Sequence, residues 1–308
     1  MDSDGRKQNG FLAALDADDF EALRPHLRTV ALTQSQRLVK IGDTINDVYL
    51  LHSGVISLVV ELDEGERVEV AMIGRDSVLN LSGVLGVPTA VTNAVVIFSG
   101  VASVLDVGRL RAAAEGRPAL RALLARHGMA LFVQAQQTAG CNAAHSVENR
   151  LARWLLRVRD LTGSDTFKLT QELMAQMIGA RRNSVSIVAN TLQRSHYIRY
   201  SRGHIEITDF DGLNGSVCEC YGAVKHRCEG LFQLAARHRR IAGRDTPRPQ
   251  SRVSATRRIL KMGFLDSSNS SICHSVFCLR LREMLLTRSP QTLVISAHAA
   301  FWSASSIP

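Results

Sequence analysis

The sequence predicts an α+β chain with an all-β front, a long helical middle, and a helix-turn-helix followed by a β wing at the back. Three observations predict it. Between about Val30 and Val107, short β-branched runs alternate with Gly, Asp and Asn. From Gly108 onward, apolar residues recur at helical rather than alternating intervals. Residues 169–209 then spell helix, glycine-bearing turn, helix and hairpin.

The elements follow in order. Phe11, Leu12, Leu15, Phe20, Leu23 and Leu27 recur near helical spacing, which predicts one or two short helices over residues 11–28. Apolar runs at 48–51, 55–60, 68–73, 95–97 and 101–105 are punctuated by Gly54, Gly65, Gly74, Gly83, Gly86 and Gly100. Such runs, with turn signals about every 8–12 residues, mean a small barrel or sandwich. Leu110, Leu120, Leu124 and Leu131 fall near one stripe of a helix reaching about Ala139. Leu124 and Leu131 are a heptad apart, which suits pairing with a second copy; packing on the chain's own domain is the alternative. Gly140 and Asn142 are expected to interrupt this helix. A second helix runs from about Ser146 to Leu161, with Leu151, Trp154, Leu155 and Val158 inward. Its Arg150, Arg153, Arg157 and Arg159 are expected mostly on a solvated face, with one or two reaching phosphate.

With 308 residues the chain has room for two cored domains, and its 45% hydrophobic content is that of a globular protein. Residues 1–10 lack the apolar core of a secretory signal, and the longest apolar stretch, residues 94–105, is broken by Ser99 and Gly100. A span needs roughly 20 residues, so the expectation is a cytoplasmic protein with no membrane partner. The formal charge of +9 is uneven. Residues 1–140 hold 13 Lys and Arg against 16 Asp and Glu, a balance of −3, whereas 141–240 hold 15 against 9 and 241–308 hold 9 against 3. A basic rear half suits contact with a polyanion. The six cysteines, all from Cys141 onward, are too sparse for a disulfide scaffold and fit a reducing compartment. No Gly-x-Ser-x-Gly elbow, phosphate-binding loop or His-Glu-x-x-His helix is present, so no enzyme is expected.

The functional signal lies in residues 169–209. Thr170 can cap a helix, with Glu172 favoured in its first turn by the helix dipole. Leu173, Met177 and Ile178 supply the inner face, Ala175 permits close crossing, and Gly179 ends the helix. A second helix starts near Arg182, with Val185, Val188 and Leu192 inward. Its outer face carries Arg182, Asn183, Ser186 and Asn190; Arg pairs bidentately with guanine, and Asn with adenine. Residues 197–200 and 204–207 then alternate around Ser201-Arg202-Gly203, a hairpin with a basic tip suited to backbone phosphate. The pattern points to double-stranded DNA. The contacting set is Thr170, Gln171, Arg181, Arg182, Asn183, Ser184, Ser186, Asn190 and Arg202. The rival from another class is a ligand-binding signalling module whose degenerate winged helix contacts protein.

Over residues 15–215 the chain resembles the Crp/Fnr family of bacterial transcription regulators. The resemblance rests on residues 48–54 (Val-Tyr-Leu-Leu-His-Ser-Gly), on Glu64-Gly65, and on the stretch from Leu169-Thr170 through Gly179 to Leu192. It implies a jelly-roll-like β-roll sensor domain of the cyclic-nucleotide-binding type over 11–115 and a dimerisation helix over 116–142. A winged helix-turn-helix over 143–215, a C-terminal helix over 216–240 and a disordered tail over 241–308 complete the expected domains. It also implies a homodimer on an inverted-repeat site, with RNA polymerase as a further partner. The departures matter. Where cyclic-nucleotide binders of the family carry a Gly-Glu pair, this chain has Asn80 and Leu81, and no Arg lies between Arg75 and Arg109. A buried phosphate without its cation is poorly compensated. The N-terminal cysteines that hold an iron–sulfur cluster in the family's oxygen sensors are missing, so no cofactor is expected. The family's base readers Arg, Glu and Arg fall on Arg182, Asn183 and Ile187, and Arg181 sits where Ser or Thr commonly caps the helix.

Other clusters are weaker. Cys218-Glu219-Cys220, with His226 and Cys228, matches no structural zinc spacing, so packed thiols and no metal are expected. Cys141, near the proposed interdomain hinge, is expected to be a packed thiol rather than a redox centre. His52, His127, His145 and His196 receive no role.

Overall fold

The computed structural model describes residues 6–242. Two short helices come first, α1 (Gly10–Ala14) and α2 (Ala17–Leu23). Each carries a side-chain cap: Asn9 accepts from the Phe11 and Leu12 amides, and Asp16 from the Asp19 amide. Their Phe11, Leu12, Phe20 and Leu23 plug the first core.

Eight strands follow: β1 (Arg28–Leu32), β2 (Arg37–Val39), β3 (Asp47–Leu51), β4 (Val55–Glu61), β5 (Arg67–Ile73), β6 (Val78–Leu79), β7 (Asn93–Phe98) and β8 (Gly100–Asp106). They form two four-stranded antiparallel sheets, ordered β1-β8-β3-β6 and β2-β7-β4-β5. The five apolar runs of the sequence are β3, β4, β5, β7 and β8. Strands β1 and β6 and the bulged β2 were not legible: β1 buries only Leu32, and β6 has two residues. A short helix, α3 (Leu81–Val84), separates β6 from β7.

Helix α4 (Val107–Glu115) leaves β8 under an Asp106 cap. The long helix α5 (Pro118–Ala144) begins with Pro118 in its first turn. Gly140 and Asn142 do not interrupt it. The helix runs through them and stops at His145, whose extended backbone (φ −110°, ψ 154°) leads to Ser146, the cap of α6 (Val147–Thr162). One glycine costs a helix only about 1 kcal/mol, and burial of the neighbouring Thr138 and Cys141 outweighs it. The inner stripe also differs from expectation. Leu120, Leu123 and Leu124 are buried in the β-roll core, so Leu120 and Leu124 are not free to meet a second copy, while Leu131 is half-buried. Met129 and Phe132 are 48% and 56% exposed on the opposite face.

On α6, Leu151, Trp154, Leu155 and Val158 are buried as expected. Its arginines are not on a solvated face. Arg157 pairs with Asp76 at 2.6 Å, Arg159 pairs with Asp165 and lies over the Phe210 ring, and Arg150 donates to the carbonyls of Ile178 (3.3 Å) and Asn142 (3.4 Å). Desolvated guanidinium groups here hold elements together rather than await phosphate.

The rear of the described chain is β9 (Thr166–Lys168), α7 (Gln171–Met177), α8 (Arg182–Arg194), β10 (Ile198–Ser201), β11 (His204–Ile207), α9 (Phe210–Gly215) and α10 (Cys220–Ala242). The strands form a three-stranded sheet ordered β10-β11-β9. A second core joins α6, α7 and α8 to Val55, Val59, Met72 and Ile97 of the β-roll. Inside that junction lies Glu69, buried, accepting from Ser57 Oγ (2.6 Å) and Trp154 Nε1 (3.0 Å). The tail expected to be disordered lies outside the described residues, except that residues 241–242 continue α10.

Candidate nucleic-acid interface

The helix-turn-helix is built from α7, the turn 178–181, and α8. Thr170 accepts from the Leu173 amide at 3.1 Å and caps α7. Met174, Ala175, Met177 and Ile178 are buried beneath it, while Leu173 is only half-buried. Met174 belongs to the inner face although the spacing alone did not single it out. Gly179 takes a left-handed φ of +60° and lets the Ala180 amide reach back to Ala175 O at 2.9 Å. Arg181 stands at the N-cap of α8 and makes no capping bond, as its residue type requires. Val185, Ala189 and Leu192 are buried and Val188 is half-buried, which fixes which face of α8 looks outward.

That outward face is open. Arg181, Arg182, Asn183, Ile187 and Asn190 are exposed, Ile187 at 68%. The side chains of Arg181, Arg182, Asn183 and Asn190 make no hydrogen bond or ion pair among the described residues. Two further members of the expected set are bound to each other: Ser186 Oγ donates to Gln171 Oε1 at 2.6 Å, tying α8 to the start of α7. Ser184 is half-buried beside them, and Thr170 is engaged as a cap. Arg202 stands apart from α8 at the tip of the β10–β11 hairpin. It and Gly203 both take positive φ, +49° and +77°, the geometry of a two-residue type I′ turn. The hairpin register, Ser201 opposite His204 and Ile198 opposite Ile207, leaves Arg202 exposed at the apex. The structure therefore leaves Arg182, Asn183 and Asn190 exposed on α8 with Arg181 exposed at its N-cap, carries Arg202 separately, and assigns Thr170, Gln171 and Ser186 internal bonds. Ile187, outside the expected contact set, stands one turn after Asn183 and joins this exposed face.

Two other places bear on ligands. Between the β-roll and α5 lies a cavity of about 650 Å³. Ile73, Leu79, Leu81, Ala125, Met129 and Phe132 are among its walls; among the described residues its polar lining is Asn80, Ser82 and Thr92, and none of these is charged. Asn80 is left-handed (φ +68°) and spends its Nδ2 on Asp47 O at 2.8 Å. Behind the winged helix, a second set of side chains meets. Cys141 and the C-cap His145 close α5, Cys220 opens α10 and Cys218 lies just before it, with all four ligand atoms within 4.8 Å of one another. His226 is exposed and Cys228 faces Ala130 O, so neither joins them. Burial pushes the Cys218 thiol up to about 12 and raises that of Cys141, so neither is an activated nucleophile.

Residues 149–215 match the family model of the Crp-like helix-turn-helix domain. The fold is similar to FixK2 from Bradyrhizobium japonicum, at 15% identity over 62% of this chain and 98% of that one, with a TM-score of 0.55. It is similar to CLP, a c-di-GMP responsive global regulator from Xanthomonas campestris, at 15% identity over 62% of this chain and 99% of that one, with a TM-score of 0.53. A CRP/FNR-family transcriptional regulator from Thermus thermophilus aligns at 21% identity over 63% of this chain and 98% of that one, with a TM-score of 0.51. A search of curated proteins finds no match. The expected resemblance is borne out: the described chain has the fold of the Crp/Fnr transcription regulators, with their helix-turn-helix domain at its rear. Among the described residues no helix is long and apolar enough to cross a membrane.

Proposed function

We propose that this chain is a sequence-specific transcription regulator, not an enzyme, that binds an inverted-repeat DNA site as a homodimer in the cytoplasm and contacts RNA polymerase there. The observation that carries the reading is the outer face of α8, where Arg182, Asn183 and Asn190 are exposed and bonded to nothing within the described residues. Donors left free on a recognition helix are what base edges in the major groove require. Arg182 reads a guanine, Asn183 an adjacent adenine, and Ile187 offers its side chain to a thymine methyl. Arg181 and Arg202 hold phosphate; Ser184 borders the contact, and Thr170, Gln171 and Ser186 fix the two helices at its edge.

The dimer reading rests on a different stripe from the one the leucines suggested. Ala122, Ala125, Met129, Phe132, Gln136, Ala139 and Ala143 are all exposed and fall at alternating intervals of three and four along α5. That is an exposed heptad seam along α5, with Met129 and Phe132 at its centre. Ala125, Met129 and Phe132 also line the β-roll cavity, so a ligand held there touches the seam. The absence of charged lining residues supports an effector other than cyclic AMP, whose phosphate finds no cation in those walls.

Exposed Ile187 favours a second reading, in which α8 contacts an apolar protein partner. Selection of bound sequences from random DNA by the purified full chain decides between them. Enrichment of a two-fold symmetric site with half-sites about one helical turn apart supports the regulator. Binding without enrichment of any sequence would favour the protein-contact reading.

A further inference from the structure

The residues that meet where α5 ends and α10 begins are three thiols and an imidazole contributed by two distant segments. Cys141 and His145 lie one turn apart at the end of α5, and Cys218 and Cys220 flank Glu219 at the start of α10. Cys141 Sγ and Cys218 Sγ are 3.7 Å apart, and Cys220 Sγ and His145 Nδ1 are 3.5 Å apart. These two separations match two edges of a tetrahedron around a metal ion. With Zn–S near 2.3 Å and Zn–N near 2.0–2.1 Å, a tetrahedral ion sets sulfur–sulfur and sulfur–nitrogen edges of about 3.8 and 3.5 Å. The remaining separations, all within 4.8 Å, close to that figure with shifts of about 1 Å or less.

The surroundings match as well. His145 turns Nδ1 toward the sulfurs and Nε2 toward Glu219 Oε1 at 3.3 Å. A carboxylate on the far ring nitrogen fixes the tautomer and orients a ligating histidine. Gln137 Nε2 lies 3.0 Å from Cys220 Sγ, an N–H donor for a thiolate. Cys141, Cys218 and Cys220 are buried, and together they form a separate core cluster with no aliphatic neighbour among its members.

We propose that Cys141, His145, Cys218 and Cys220 form a structural zinc site that pins the C-terminal end of α5 to the segment following the winged helix. Four protein ligands leave no open coordination position, so the site is structural rather than catalytic. Three soft thiolates and one imidazole in a compact tetrahedral set select zinc over the hard divalent cations. Binding displaces the three thiol protons, with the histidine entering through neutral Nδ1.

The test is metal content and cobalt spectroscopy on the reduced, full-length chain. Elemental analysis should find one zinc per chain. Cobalt(II) added to chelator-stripped protein should saturate at one equivalent, with the intense visible bands of a tetrahedral ion and thiolate-to-cobalt charge transfer in the near ultraviolet. Stripping should lower the melting temperature by more than about 5 °C, reversibly on zinc return. A Cys228→Ser, Cys273→Ser, Cys278→Ser chain should keep the ion, and Cys141→Ser with Cys218→Ser should lose it. Absence of zinc together with failure to take up cobalt overturns the proposal, as does full metal content in the Cys141→Ser, Cys218→Ser chain. If that double variant does not fold, the wild-type spectrum decides: cobalt bound without thiolate charge transfer also overturns it.

Discussion

Replacing Glu69 by Gln should make the protein more stable at pH 8 than at pH 5, relative to wild type. Glu69 is sealed between β5 and α6, with only the Ser57 hydroxyl and the Trp154 indole N–H as hydrogen-bond donors. Burial raises its pKa from the ordinary 4.5 to about 7, against the smaller opposing pull of those donors and of Arg153 and Arg157. The folded protein thus keeps a proton that the unfolded chain gives up at lower pH. Unfolding releases that proton between pH 4.5 and 7, so stability falls as pH rises through this window. The shift is worth about 3 kcal/mol in full, of which about 2–3 kcal/mol falls between pH 5 and pH 8. Gln can accept from the Trp154 indole through its oxygen and donate its amide N–H to the Ser57 hydroxyl, without ionising. His127 acts in the opposite sense. It is buried against Phe11 and Phe232, its ring nitrogens have no hydrogen-bond partner among the described residues, and burial lowers its pKa from 6.5 to about 4. Its contribution is complete above pH 6.5 and is lost as pH falls toward 4. The two slopes oppose each other in wild type between about pH 4.5 and 6.5, and Glu69→Gln leaves the histidine's uncovered. Urea denaturation of both proteins at pH 5 and pH 8, with Trp fluorescence as the probe, measures the difference. A wild-type-to-variant gap that is the same at both pH values, or that moves the other way, would refute the argument.

Arg182→Ala should relax preference at one base position in each half-site by about 1–3 kcal/mol, whereas Arg202→Ala should weaken all sequences alike and lower the salt slope by about one unit for each phosphate that Arg202 neutralises; anisotropy titrations on single-base variants across several salt concentrations separate the two. An equal loss on every sequence for Arg182→Ala would make that residue a phosphate clamp only. Cyclic AMP should show no binding by calorimetry at micromolar protein, because the described residues lining the β-roll cavity include no charged side chain; a Kd in the low micromolar range, about −8 kcal/mol, would sink that expectation. Phe132→Glu should convert the chain to a monomer in sedimentation velocity while leaving its far-ultraviolet circular dichroism unchanged, since Phe132 is 56% exposed at the centre of the α5 seam; a dimer that persists at micromolar concentration would place the interface elsewhere.

The strands β3, β4, β5, β7 and β8, both helices of the helix-turn-helix and the wing were legible in the sequence because each is a local pattern. Alternation, helical spacing and turn chemistry all act within about ten residues. The outer face of α8 followed from the same periodicity, since fixing Val185 and Leu192 inward leaves Arg182, Asn183 and Asn190 outward. Tertiary structure decided what covers each apolar face. Sequence spacing marked Leu120 and Leu124 as one stripe, but only packing shows that the β-roll takes that stripe and leaves Met129 and Phe132 outside. The arginines of α6 looked solvated because periodicity records polarity, not the arrival of Asp76 or of the turn carbonyls from other parts of the chain. The thiol cluster was the least legible feature. Neither Cys141-x-x-x-His145 nor Cys218-x-Cys220 is by itself a metal-binding spacing, and the segments are 77 residues apart. They meet because α10 packs back along α5, a contact between helix faces that no short-range pattern encodes.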